Sequence, residues 1–167
     1  MYHSLEDFFK DWAYEAESTL KFINNLSDEA LKIPKSHEKM RAMKQIVWHI
    51  IATPSEMLGL AGLHLFEVDY NAPAPESVAT LKEMYEKTNE NLIENIKKNW
   101  NDETLKTSDN MYGEIWAKGD TLKYMIFHQI HHRGQLSVLM RQAGLQVSGV
   151  YGPSNEEWAA MNAPAMI

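Results

Sequence analysis

The chain of 167 residues has the length of one domain with its own core, and its 44% hydrophobic and 23% charged residues are typical of a globular protein. Its 23 acidic and 16 basic side chains give a formal net charge of -7. This balance argues against a nucleic-acid partner, because phosphate binding needs a surplus of Lys and Arg. The sequence contains no cysteine, which excludes disulfides, Cys-ligated zinc and a cysteine nucleophile.

The N-terminal sequence and the lack of cysteine both favour a cytoplasmic protein. Glu6 and Asp7 stand where a secretory signal peptide would have a basic region before an apolar run. No window approaches the roughly 18 uninterrupted apolar residues of a transmembrane helix, so we expect no membrane segment.

The first apolar pattern predicts an amphipathic helix. Ser4 is placed to cap it, and apolar residues recur at three- and four-residue steps from Leu5 to Leu26. Trp12 lies in this stripe. Core packing is its simpler interpretation, although the indole is also a candidate for lining a pocket.

A second helix is predicted to start between Ser36 and Arg41, and Pro54 should kink it or end its first half. His49 lies on the flank of its apolar stripe, at about 100° from Ile50 on a helical wheel. Taken alone, this position is more typical of a partly exposed histidine than of a metal ligand.

Two further helices and a turn-rich tail complete the chain. The third helix begins near residue 76 and ends near 100, and its charged face is interpreted as solvated surface. Residues 101–119 are predicted to form a loop that packs back on the body. The fourth helix is predicted to begin at a cap on Asp120 or Thr121 and to stop at Gly144. Residues 154–161 are predicted to form a short helix that folds onto the bundle.

Four helix patterns in one short chain predict an all-α fold: a four-helix bundle with a loop-rich C-terminal extension, with residues 1–167 forming a single domain. Sites in such bundles are built in the core from side chains on facing helices.

Two histidines of the fourth helix give the strongest functional signal. His128 and His132 are four residues apart, so their imidazoles leave the same face about 6 Å apart. Both fall within the apolar stripe that contains Met125 and Leu136. Burying two neighbouring imidazoles is costly unless one partner satisfies both, and a divalent metal does so. Two core histidines bonded to backbone carbonyls or water are the alternative.

The sequence offers few candidates for a third ligand beside His128 and His132. Gln129 stands where the His-Glu-x-x-His protease pattern has its glutamate, which excludes that class. His131 points about 100° away from His132 and is a candidate for the pocket edge or the surface. His49 is in mid-helix, at a depth where the second helix can face the fourth.

Two segments resemble the signature of the DinB/YfiT-like superfamily of metalloenzymes. One is the helix-four sequence His128-Gln129-Ile130-His131-His132-Arg133-Gly134-Gln135, and the other is Val47-Trp48-His49-Ile50, which contains His49. The resemblance covers nearly the whole chain. It implies that His49, His128 and His132 hold one divalent metal, with zinc expected before nickel or iron, and that Tyr124 and Gln135 contact the ligands or line the pocket.

The chemistry that the resemblance implies is metal-dependent transfer of a low-molecular-weight thiol of the bacillithiol or mycothiol kind. Hydrolysis and a non-catalytic bundle stapled by metal remain alternatives. The expected partners are a small-molecule substrate and a second copy of the chain in a homodimer. Arg133, which points about 100° from His132, is expected to form a structural or interface ion pair.

Overall fold

The computed structural model describes residues 1–65, 68, 69 and 71–164. Four long helices form the body: α1 (Leu5–Asn24), α3 (Met43–Leu60), α4 (Val78–Asn99) and α5 (Lys118–Gln142). Short helices α2 (Asp28–Leu31) and α6 (Asn155–Ala160) lie in the connection after α1 and in the C-terminal tail. The fold is therefore the mostly helical bundle predicted from the sequence.

The bundle core follows from the apolar stripes. α3 packs against α4 and α5, and α1 packs against the same two helices. One apolar cluster gathers Phe22, Ile23, Val47 and Ile51 near one end of the bundle, and another gathers Phe8 with other buried side chains near the opposite ends of α1 and α3. Ser4 caps α1 as predicted, since its Oγ accepts from the Asp7 N–H at 3.4 Å.

The helix α3 runs through Pro54 from Met43 to Leu60, so the proline does not end its first half. The neighbouring Thr53 hydroxyl donates to the His49 carbonyl oxygen at 2.7 Å. Proline removes one backbone donor, but the tertiary packing on both sides of α3 keeps the helix continuous and carries His49 and Glu56 on one element.

The prediction of a plain loop at 101–119 was wrong. This stretch contains a 3-10 turn (Thr104–Lys106) and an antiparallel hairpin of β1 (Ser108–Met111) and β2 (Glu114–Ala117), in which Ser108 pairs with Ala117 and Met111 with Glu114. Tyr112 and Gly113 form the turn with φ of 57° and 90°, the left-handed pair that a tight two-residue hairpin requires.

The hairpin leads directly into α5, which begins at Lys118, before the predicted cap at Asp120 or Thr121. Lys118 is buried; its ammonium donates to the Ala61 carbonyl oxygen at 2.7 Å and pairs with Asp109. Gly119 fits here because a Cβ on it would lie 2.1 Å from the Tyr2 carbonyl oxygen. These contacts extend the helix past the glycine that suggested a loop.

The tail folds back on the bundle as predicted. α6 begins with Ser154 and Glu157 in a capping box, and Arg141 of α5 pairs with Glu156. Residues 165–167 lie outside the described part of the chain. Within the described residues, none of the helices combines the length and apolar character needed to cross a membrane.

Candidate metal centre

The three histidines predicted as ligands lie together. His49 comes from α3, and His128 and His132 from successive turns of α5. Their ring centroids lie 4.7 Å apart for His49 and His128, 4.5 Å for His49 and His132, and 4.3 Å for His128 and His132. One ring nitrogen from each falls within 4.8 Å of the others, which brings three potential ligand atoms to one point.

The spacing of these nitrogens fits a shared ion. His128 Nε2 and His132 Nε2 are 3.1 Å apart. Two nitrogens bound to one ion at about 2.1 Å lie roughly 3.0–3.4 Å apart in octahedral or tetrahedral geometry. His128 and His132 therefore have the nitrogen spacing of two ligands of one ion, and with a His49 nitrogen within 4.8 Å of both, the cluster could bind a divalent metal.

Gln135 sets the orientation of His132. Its Oε1 lies 2.8 Å from His132 Nδ1, so Nδ1 carries the proton that this amide oxygen accepts. The lone pair of the neutral ring is then on Nε2, which faces His128. The Gln135 Nε2 donates in turn to His131 Nε2 at 2.9 Å, which places His131 at the exposed edge of the cluster. A partner of this kind on the remote ring nitrogen is typical of metal-bound histidines.

The electrostatics keep the rings neutral and available as ligands. Burial, with the nearby Arg41 and His132, lowers the pKa of His49 to about 4. Burial and the neighbouring histidines lower the pKa of His128 to about 3. Burial also lowers the pKa of His132, against the opposing effect of its bond to Gln135. At neutral pH all three rings are therefore neutral, each with one N–H and one nitrogen lone pair.

Two cavities of unlike chemistry reach the cluster. One, of about 620 Å³, is lined by His49 and Glu56 together with the polar side chains Arg41, Gln45 and Asn71. The other, of about 320 Å³, is lined by His49, His128 and Glu56 together with Tyr112, Trp116 and Tyr124. We call the second cavity the hairpin chamber, because two of its aromatic rings come from the hairpin. The ligand set is thus reachable from solvent on the side of Glu56.

The other candidate residues separate clearly. Tyr124 lines the hairpin chamber, and Gln135 contacts His132, as expected. Trp12 does neither: it is 1% exposed and stacks on Phe8 in the core, which was its simpler interpretation. Gln129 is buried away from the cluster, where its Oε1 accepts from the Tyr85 hydroxyl at 3.1 Å.

Four residues at the site were missed as functional candidates. Arg41 precedes α3 with no periodic signal, and Tyr112 and Trp116 lie in the stretch taken for a loop. Glu56 was noticeable only as a neighbour of His49 on the flank of the helix, two turns along. Its Oε1 accepts from the Tyr112 hydroxyl at 3.3 Å, so it joins α3 to the hairpin.

The chain is a helical bundle in which three histidines from two helices meet at one point beside open cavities, and such a cluster could bind a divalent metal between helices. The sequence places it more closely: the model of the DinB family matches residues 1–166, and the chain belongs to that family.

Three known proteins are similar to this chain over most of its length. The uncharacterized protein YrdA of Bacillus subtilis (strain 168) is 36% identical over 168 residues, covering 99% of this chain and all of YrdA. The crystal structure of a DinB-like protein from Bacillus cereus ATCC 10987 superposes with a TM-score of 0.85 at 36% identity, covering 90% of this chain and 100% of the other. The DinB-like protein YjoA of Bacillus subtilis shares the fold at 15% identity, with a TM-score of 0.67 over 89% of this chain and 99% of its own.

Proposed function

We propose that this protein is a cytoplasmic metal-dependent enzyme that acts on small molecules and transfers a low-molecular-weight thiol. His49, His128 and His132 would hold a divalent ion, zinc before nickel or iron. The observation that carries the proposal is the convergence of the three ring nitrogens beside two solvent-reachable cavities. A metal that only stapled the bundle would have no need of this access.

A divalent ion with open coordination positions supplies Lewis acidity and lowers the pKa of a thiol or water that it binds. The chain's own residues do the rest. Gln135 holds His132 in the tautomer that exposes Nε2. Glu56, which lines both cavities, is placed to accept the proton that a thiol releases. The absence of cysteine fits a nucleophile that arrives with the cosubstrate.

Hydrolysis is the second candidate function, and Glu56 favours it as well. A carboxylate at the edge of the same two cavities can accept a proton from water as readily as from a thiol. The two reactions share the metal site and differ only in the nucleophile.

The metal content of protein purified without a histidine tag tests the site. We expect inductively coupled plasma mass spectrometry to find about one zinc, nickel or iron ion per chain, and we expect His132→Ala to lose that ion. His64→Ala is the matched control, because it removes a histidine that is not in the cluster. A wild type without stoichiometric metal, or a His132→Ala variant that keeps it, would refute the metal site.

Assays with electrophiles then distinguish the two reactions. We expect conjugation of 1-chloro-2,4-dinitrobenzene or a similar electrophile to an added thiol to depend on the metal and to be abolished in His132→Ala. Turnover of ester or amide substrates with water alone, and no thiol conjugation, would assign the site to hydrolysis instead.

A further inference from the structure

The hairpin chamber has an aromatic wall that the metal-binding residues do not explain. The ring centroids of Tyr112 and Trp116 are 5.9 Å apart at 60°, and those of Trp116 and Tyr124 are 4.7 Å apart at 49°. Three tilted rings therefore line a cavity of about 320 Å³ that His49 and His128 also line. This volume suits a single small ring system rather than a large ligand.

Tyr112 occupies an unfavourable position. Its φ of 57° is left-handed, a conformation that is uncommon for bulky residues and that asparagine or glycine adopts at lower cost in this turn. The turn does not need a tyrosine, because Asn110 Oδ1 already accepts from the Gly113 N–H at 3.0 Å. The Tyr112 side chain does two things here: its hydroxyl donates to Glu56, and its ring lines the chamber.

The aromatic wall is also exposed. Tyr112 is 56% and Tyr124 39% exposed, although both are large rings in reach of one another through Trp116. Strained backbone that presents rings to an open cavity is the arrangement expected of a binding surface. It leaves apolar surface that a ligand of matching shape would cover.

The charges around the chamber disfavour a cationic occupant. The Lys123 ammonium lies 4.5 Å from the centroid of the Tyr124 ring, and the histidine cluster would carry a divalent cation. Both repel a second cation, although the Glu56 carboxylate, which also lines the chamber, would attract one. An aromatic ring of the ligand gains about 0.5–1.5 kcal/mol beyond its buried area from edge or offset contacts with such a wall.

We propose that the hairpin chamber binds a planar aromatic group of the substrate that carries no positive charge, and holds the reacting atom of that substrate next to His49 and His128. This assignment of substrate class rests on the proposed function of the histidine site. Tyr112, Trp116 and Tyr124 are its specificity-determining residues, and the hairpin is the element that presents two of them.

Three inert probes of similar size test this assignment on the zinc-loaded full chain: benzyl alcohol, cyclohexylmethanol and benzyltrimethylammonium. Binding is followed by the indole N–H signals in ¹⁵N-resolved NMR, with the Trp116 signal assigned from Trp116→Phe. We expect benzyl alcohol to shift the Trp116 signal and to bind about two- to thirteenfold more tightly than cyclohexylmethanol, which is the free energy above converted to affinity.

Tyr112→Ser should abolish most of this preference, and Tyr124→Leu should reduce it. Ile115→Ser is the matched control, because Ile115 is on the same hairpin, is 73% exposed and is not among the residues that line the chamber. It should leave the preference unchanged.

Equal binding of the two alcohols, tightest binding of the ammonium probe, or an equal effect of Ile115→Ser and Tyr112→Ser would each overturn the assignment. Failure of the proposed function is read separately. A wild type that retains no zinc, nickel or iron refutes the metal site, whereas a zinc-loaded protein without aromatic preference refutes the chamber alone.

Discussion

The buried ion pair of Arg133 gives a prediction whose size follows from the structure. Arg133 is 3% exposed, and its guanidinium donates to Glu15 Oε2 at 2.6 Å, to the Glu15 carbonyl oxygen at 3.1 Å, to Thr19 Oγ1 at 3.2 Å and to the Tyr151 hydroxyl at 3.1 Å. The pair joins α5 to α1 and to the C-terminal tail, which confirms the structural ion pair expected for Arg133.

Arg133→Met would leave Glu15 buried at 5% exposure, and among the described residues the Tyr151 hydroxyl, at 2.7 Å, would be the remaining side-chain donor to its carboxylate. Removing one partner of such a pair costs about 3–5 kcal/mol, because an uncompensated charge remains in the interior. The total free energy of unfolding of a domain is about 5–15 kcal/mol, so the loss should be large and easily measured.

Urea unfolding of the metal-free protein, followed by circular dichroism, measures the effect without a contribution from bound metal. The matched control is Arg141→Met, which breaks the partly exposed pair with Glu156 and should cost less than about 1 kcal/mol. The double variant Glu15→Leu/Arg133→Met should recover at least about 1.5 kcal/mol of the summed cost of the two single variants. A loss below about 1 kcal/mol in Arg133→Met, or strict additivity in the double variant, would refute the reasoning.

Three further predictions concern the site and its surroundings. In the folded protein the pKa is about 4 for His49 and about 3 for His128, below the ordinary 6.5 of the unfolded chain. The metal-free protein should therefore lose stability as pH falls below 6.5, and the loss should level off below the folded pKa values. Urea midpoints at pH 7.5 and 5 measure this loss, and an unchanged midpoint would contradict it. Arg41→Gln should raise the pKa of His49 toward 6.5, because one of the causes that lower it is removed; histidine NMR titration of the metal-free protein checks the direction, and Lys10→Gln serves as the control. We also propose a homodimer through the exposed apolar side chains Tyr14, at 48%, and Phe127, at 55%, so that Phe127→Glu should give monomers in light scattering whereas the wild type gives dimers.

The histidine cluster could be predicted because its signal is local. A spacing of four residues on a helix places His128 and His132 on one face whatever the tertiary structure is, and the apolar stripe indicates that this face is directed toward the core. The role of His49 could not be predicted from its own helix alone, because a residue on the flank of α3 meets the α5 histidines only at a particular rotation of α3 against α5. Only the resemblance to a family supplied that relation between two distant segments.

The hairpin escaped prediction for a physical reason. β1 and β2 are only four residues each, and their burial alternates weakly, with Ile115 exposed and Met111 buried. The turn residue Tyr112 is not one that favours a positive φ, so the usual asparagine–glycine signal is absent. A segment that departs from local preference in this way is where function is expected to override propensity.

The histidine cluster and the Arg133–Glu15 ion pair depend on the same rotation of α5, because His132 and Arg133 are adjacent residues of that helix. His132 faces α3, with its ring 4.5 Å from that of His49, whereas Arg133 faces α1 and binds Glu15. Neighbouring residues of a helix point about 100° apart, so one rotation of α5 satisfies both contacts. Turning the helix by that angle would direct the guanidinium toward α3 and leave the Glu15 carboxylate buried without it. Since an unpaired buried charge costs several kcal/mol, the ion pair selects the rotation in which His128 and His132 meet His49.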